Sequence, residues 1–138
     1  MIEIELKTKL NDKIIEFINN EFDKYVIKYG EKCDYNEFNF IAKKDNKVIG
    51  IISCHSYYDE VQIDDFIVIE KYRRQTIGSQ LLQKVEEYCK YNGFKNINVI
   101  TYEFLAPEFY KKCGYTLDYV RENKNNKRLN KYFFVKYF

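Results

Sequence analysis

The stretch from Phe66 to Leu82 constrains this chain more than any other part of it. An apolar, β-branched run ends at the basic pair Arg73-Arg74. A short turn, Gln75 to Ser79, follows, and then apolar residues recur at helical spacing. The pattern demands a strand, a loop and a helix N-terminus in that order. A helix start carries unpaired backbone N–H groups and the positive end of the helix dipole. With two arginines beside it, such a place suits a phosphate or pyrophosphate. From these residues alone, an ordinary strand-to-helix connection with two solvated arginines fits as well.

Composition narrows the frame. A chain of 138 residues, 46% apolar and 32% charged, is expected to form one soluble globular domain over 1–138. Its net charge of +2 implies no strong field toward nucleic acid or a membrane surface. No apolar run approaches the roughly 18 residues of a membrane span. Met1 to Glu5 alternate like a strand and lack a signal peptide's basic start, so the cytoplasm is the expected location. Cys33, Cys54, Cys89 and Cys113 form no Cys-x-x-Cys pair, and His55 is the only histidine. That inventory builds no ordinary zinc site, and the thiols are expected to be free and mostly in the core. No metal is expected. Cys54 and His55, adjacent on a strand, would point to opposite faces, which argues against a cysteine nucleophile.

The remaining elements follow from periodicity and punctuation. Residues 2–6 read as a strand. Asn11 or Asp12 can cap a helix that runs to about Tyr29, with Gly30 as its stop. Residues 38–43 and 47–56 read as strands joined by a tight Asp45-Asn46 turn, and 61–69 as a third long strand. A helix is expected from Ile77 to Tyr91, ended by Asn92-Gly93, and a strand from Asn96 to Tyr102. Pro107 opens a short helix that stops at Gly114. Strands at 115–120 and 131–138 close the chain. The order is α+β in character.

Two further constellations carry chemistry. Ala106 to Tyr115 places Phe109 and Tyr110 on a short helix four or five residues before a glycine. A phenol there has a proton to give and can stand beside an apolar channel; the same rings also serve as core aromatics. Gln62-Ile63-Asp64-Asp65 puts carboxylates on the strand that leads into the basic loop. Positions 62 and 64 share a face, and 65 faces away unless a bulge intervenes. Asp64, Glu103 and His55 each carry a group that could take a proton; Gln62 cannot.

The loop resembles motif A of the GNAT acyltransferases, Arg/Gln-x-x-Gly-x-Gly/Ala, here Arg73-x-x-Thr76-x-Gly78. Threonine replaces the first glycine, and the expectation is an ordinary right-handed backbone there. Ala106 to Tyr115 resembles motif B of the same family. Glu103 stands where those proteins usually carry asparagine. The resemblance implies a mixed, mostly antiparallel sheet flanked by helices, with a splayed strand pair as the acyl-CoA cleft. It implies acetyl-CoA as cosubstrate and direct transfer of the acetyl group to a primary amine on a small molecule or peptide. By the same resemblance, Arg73, Arg74, Gln75, Thr76, Ile77, Gly78 and Ser79 grip the pyrophosphate. The backbone of Phe66, Ile67 and Val68 pairs with the pantetheine arm. Tyr110 protonates the departing thiolate, and Asp64 deprotonates the acceptor. The family usually has two helices between its first two strands, and this chain shows one. The rival readings are a non-catalytic acyl-CoA sensor and, weakly, a nucleic-acid module built on Lys124 to Lys131. Neither nucleic acid nor membrane is an expected partner, and a homodimer is left open.

Overall fold

The computed structural model describes residues 1–138. By internal packing the chain divides into two compact units, residues 1–33 and 34–138. In the first unit, helix α1 (Asp12–Lys28) is capped by Asn11, whose Oδ1 accepts from the Ile14 N–H at 3.0 Å. Gly30, at φ +75°, lies just beyond its end as expected. The expected strand at 2–6 does not form. Alternation alone makes no strand: the backbone needs a ladder partner, and all six strands come from 36–137.

The second unit holds β1 (Asn36–Lys44), β2 (Lys47–Tyr57), β3 (Glu60–Val68), α2 (Ile77–Tyr91), β4 (Asn96–Tyr102), α3 (Pro107–Lys112), β5 (Thr116–Arg121) and β6 (Lys131–Tyr137). The sheet order is β1-β2-β3-β4-β6-β5, with every pair antiparallel except β3 and β4. Asp45 and Asn46 join β1 to β2 at φ 49° and 63°, which these two residue types tolerate better than most. No helix is long and apolar enough to cross a membrane.

One face of the sheet carries the core. Ile52, Cys54, Val61, Ile63, Ile97, Val99 and Phe134 meet Leu81, Leu82, Val85 and Cys89 of α2. Burial pushes the Cys54 and Cys89 thiols up to about 12, which makes them inert packing groups. Tyr88 of α2 stacks on Phe38 of β1 with centroids 4.0 Å apart. Gly50 of β2 leaves room for α2 to pack closely on the sheet. A Cβ there would lie 3.2 Å from Leu81 Cδ1 and 3.3 Å from the Ile67 carbonyl oxygen.

Gly50→Val therefore overpacks the interface between α2 and the sheet. A loss of about 1–3 kcal/mol is expected, read as a lower denaturant midpoint at unchanged slope.

Candidate active-site cleft

Two features of β3 open a cleft. The first is a bulge. Ser53 pairs with Asp65 while Cys54 pairs with Ile63, so Asp64 is an extra residue. Inward positions change from Val61 and Ile63 before it to Phe66 and Val68 after it. Asp65 therefore joins Gln62 and Asp64 on the outward side, the exception that alternation allows. The second is a short parallel pairing. β3 meets β4 only at Glu60–Gln62 against Asn96–Asn98, and beyond these residues the strands part. The closed end is held by the Lys95 N–H donating to the Asp59 carbonyl at 2.7 Å and by Asn96 Nδ2 of β4 donating across to Glu60 Oε2 of β3 at 3.5 Å.

Hydrogen-bond phase then decides what the open edge offers. The Ile69 N–H donates to the Ile49 carbonyl at 2.9 Å, so Ile67 and Ile69 direct their backbone groups toward β2. Phe66 and Val68 are out of phase and direct theirs into the cleft. Arg73 Nε reaches the exposed Val68 carbonyl at 2.8 Å. One of the two arginines expected at the phosphate thus also ties down the end of β3, with four of its five N–H donors left over.

A cavity of about 500 Å³ runs over the loop and is lined by Phe66, Ile67, Val68, Tyr72, Arg73, Arg74, Thr76, Gly78, Ser79, Ala106, Phe109 and Tyr110. A second, of about 470 Å³, lies along the parted strands and takes in Asp64, Asp65, Thr101, Phe104 and, again, Tyr110. Of the residues expected at the site, Gln75 and Ile77 line neither. Ile77 packs against the core instead. Tyr72 lines the cavity without having been singled out, because one tyrosine among fourteen carries little signal.

Tyr110 is 5% exposed and lies among Phe66, Phe109, Tyr115 and Phe134. Burial above all, with Cys113 and Cys54 adding, pushes its phenol well above the usual tyrosine range, so it remains a proton donor at neutral pH. The Tyr115 hydroxyl is wholly buried without a partner, whereas Tyr110 walls both cavities. On the outward face, His55 Nδ1 meets Asp64 Oδ2 at 2.7 Å. Glu103, the second candidate base, lines neither cavity and accepts from the Tyr132 hydroxyl. That bond pushes the Tyr132 phenol up.

The sequence profile described as "Acetyltransferase (GNAT) family" matches residues 6–115. The chain belongs to the GNAT family. A crystal structure of an acetyltransferase from Bacillus cereus ATCC 14579 shares 28% identity and superposes with a TM-score of 0.80, over 97% of this chain and 98% of that one. An aminoglycoside 6'-N-acetyltransferase in complex with coenzyme A, 18% identical over 73% of this chain and 72% of its own, has a TM-score of 0.65 and attests the fold alone. An uncharacterised protein of Bacillus subtilis (strain 168), YxbD, is 35% identical over 89 residues, 62% of this chain. That match spans about half, 54%, of the relative's length.

The GNAT loop here departs from expectation in its backbone. Thr76 lies at φ 65°, ψ 4°, left-handed rather than right-handed, and Arg74 at φ 62°. Positions 74 and 76 therefore both adopt the conformation that glycine prefers, with side chains attached. The reason is the turn itself. After Arg73 leaves in an extended conformation at φ −68°, ψ 159°, the chain must reverse within three residues to enter α2. Left-handed residues at 74 and 76 accomplish this turn. Each left-handed residue costs about 1–2 kcal/mol. At Thr76 part of this is offset, since its Oγ1 accepts from Gln80 Nε2 at 2.9 Å and its carbonyl accepts from the Gln80 N–H at 2.9 Å.

Arg74 has no such compensation, so Arg74→Gly is expected to raise stability. Relief of about 1–2 kcal/mol, less about 0.5–1 for glycine's unfolded-state freedom, leaves about 0–1.5 kcal/mol, a Tm gain of up to about 6 °C. Thermal melts of the free protein measure it. A lower Tm would show that the Arg74 side chain contributes more than the strain it causes.

Proposed function

We propose that this protein is an N-acetyltransferase that moves an acetyl group from acetyl-CoA to a primary amine by direct transfer. One observation carries the reading: a GNAT-family chain in which the β3–β4 cleft opens between a basic loop at the start of α2 and a carboxylate pair. The loop from Arg73 to Ser79, with the start of α2, would hold the pyrophosphate. The cleft-facing backbone of Phe66 and Val68 would hold the pantetheine amides and polarise the acetyl carbonyl. Arg73 would release or share the Val68 carbonyl as the arm enters.

The chemistry follows from these placements. The acceptor gives up a proton on the Asp64 side, directly or through water. Its nitrogen then attacks the acetyl carbon, and the carbon–sulfur bond breaks as the tetrahedral centre collapses. Tyr110, kept protonated by burial, gives its proton to the sulfur. Holding both substrates in one cleft supplies much of the rate. The acceptor is a small-molecule amine or a peptide N-terminus.

Gly78 lines the loop cavity, and a Cβ there would meet Phe109 at an ordinary 3.6 Å, so the fold tolerates a side chain. Gly78→Glu is expected to abolish CoA-dependent thermal stabilisation by carrying bulk and negative charge toward the phosphates. Unchanged CoA affinity in a folded variant would refute the site. Tyr110→Phe keeps the ring, so folding and CoA binding should survive while turnover falls about 10²–10⁴-fold. A thiol-release assay over an amine panel measures this. CoA binding without turnover on any amine by the natural protein would favour the acyl-CoA sensor reading.

A further inference from the structure

His55 is tied to the candidate base by geometry that the acetyl-transfer chemistry does not itself require. Its Nδ1 lies 2.7 Å from Asp64 Oδ2, across the register shift that makes Asp64 the bulged residue. A carboxylate oxygen and a ring nitrogen come this close only when a proton lies between them, so Nδ1 carries hydrogen and donates. The neutral ring is thereby held with Nε2 bare, and Nε2 makes no hydrogen bond within the protein. The imidazole is fixed from the side as well. Tyr57 stacks against it with centroids 5.5 Å apart at 7°, and Tyr35 likewise at 5.5 Å and 29°. The groups facing the ring are Asp64 and Gln62 from β3, Glu37 and Tyr35 from β1 and the segment before it, and Tyr57 from β2 itself. Glu37 is engaged elsewhere, accepting from the Tyr35 hydroxyl at 2.9 Å. Asp64 is therefore the one carboxylate bonded to this imidazole, and it lines the cleft whereas His55 does not.

We propose that His55 is the positioning residue of the reaction: its Nδ1–H holds one oxygen of Asp64, aims the other at the acceptor amine, and makes deprotonation depend on the charge of the imidazole. The inference rests on the acetyl-transfer reading and adds its regulation by pH. When the ring is neutral, Asp64 has a fixed geometry and no full positive charge beside it. That proton passes from the acceptor nitrogen to the free carboxylate oxygen, and no proton crosses from His55. Once Nε2 takes a proton from solvent, the full positive charge beside Asp64 stabilises the carboxylate and weakens it as a base. Turnover should then be lower with the ring charged than with it neutral.

The sole histidine in 138 residues makes the test direct, because its ring signals need no assignment. Nitrogen-15 NMR of the whole protein should show the neutral ring protonated at Nδ1, against the Nε2 preference of free histidine, and Asp64→Ala should reverse this. Turnover is then followed with saturating acetyl-CoA and putrescine, kanamycin or a peptide beginning with alanine, whichever is acetylated fastest. His55→Ala should lower kcat on the order of 10²-fold by loosening the base, with acetyl-CoA binding unchanged. His55→Gln, whose amide can still donate to Asp64, should recover most of that loss. Its pH profile should lack the limb that, in the natural protein, coincides with the NMR titration of His55. A glutamine variant as inactive as the alanine one would overturn the proposal and make the imidazole itself the proton acceptor. So would an alanine variant that turns over normally, or a neutral ring protonated at Nε2. If the natural protein binds acetyl-CoA yet acetylates none of the three amines, the acetyl-transfer reading fails and the proposal falls with it. Loss confined to the His55 variants overturns nothing in that reading.

Discussion

The parting of β3 from β4 after three paired positions is the constraint on which the rest of the site depends. A parallel pair that continued would bury the backbone of Phe66 and Val68 in a ladder and leave nothing for a ligand to bond. Instead the sheet leaves polar groups unpaired along one edge, an arrangement that costs free energy unless water or a ligand satisfies them. Arg73 meets part of that need by donating to the Val68 carbonyl. The bulge at Asp64 works in the same direction, since an extra residue bends its strand and increases its local twist. Closure at one end by Asp59–Lys95 and the Asn96 side chain leaves opening at the other as the remaining freedom.

The bulge also determines which residues share a surface. Without it, Asp64 and Asp65 would lie on opposite faces, and Phe66 would point away from the core. With it, both carboxylates face outward beside His55, while Phe66 turns inward to meet Phe109 and Tyr110, with ring centroids 5.7 and 6.5 Å away. One inserted residue thus places Asp64 on one side of β3 and the aromatic packing around Tyr110 on the other. The same packing explains the perturbed phenol, since desolvation is its leading cause.

Strain is concentrated at the other end of the cleft. Arg74 and Thr76 both hold left-handed backbones that the rest of the fold must stabilise. The neighbouring elements are well anchored. Leu81, Leu82, Val85 and Cys89 fasten α2 to the sheet, and the Ile69 N–H fastens the end of β3 to β2. A loop between two fixed ends has little freedom to relax, which is why unfavourable dihedrals persist there and why its N–H groups are preorganised rather than mobile.

Much of the second unit was legible in the residues. Ile77–Tyr91 and Asn96–Tyr102 match their expected limits, since strong periodicity bounded by Asn92-Gly93 depends only on local chemistry. Pro107 and Gly114 bracket α3 for the same reason. The strand expected at 2–6 is absent because a strand is defined by a partner, which no local pattern supplies. The loop's residues gave a strand-to-helix turn beside two arginines, but not the handedness of Thr76, which is imposed by the need to join two fixed elements in three residues. Asp64 and Asp65 were visible as carboxylate chemistry on a strand, with Gln62 beside them. Alternation put 62 and 64 on one face, as observed, but left the facing of 65 to whether a bulge intervenes, which register alone decides. The pairing of His55 with Asp64 belongs wholly to tertiary structure, since residues nine apart in sequence meet only when β2 and β3 take one particular register. Sequence determined which chemical groups this protein has and which local elements carry them. Tertiary structure decided which of those groups face each other, because facing follows from strand register and the closing of loops between anchored ends.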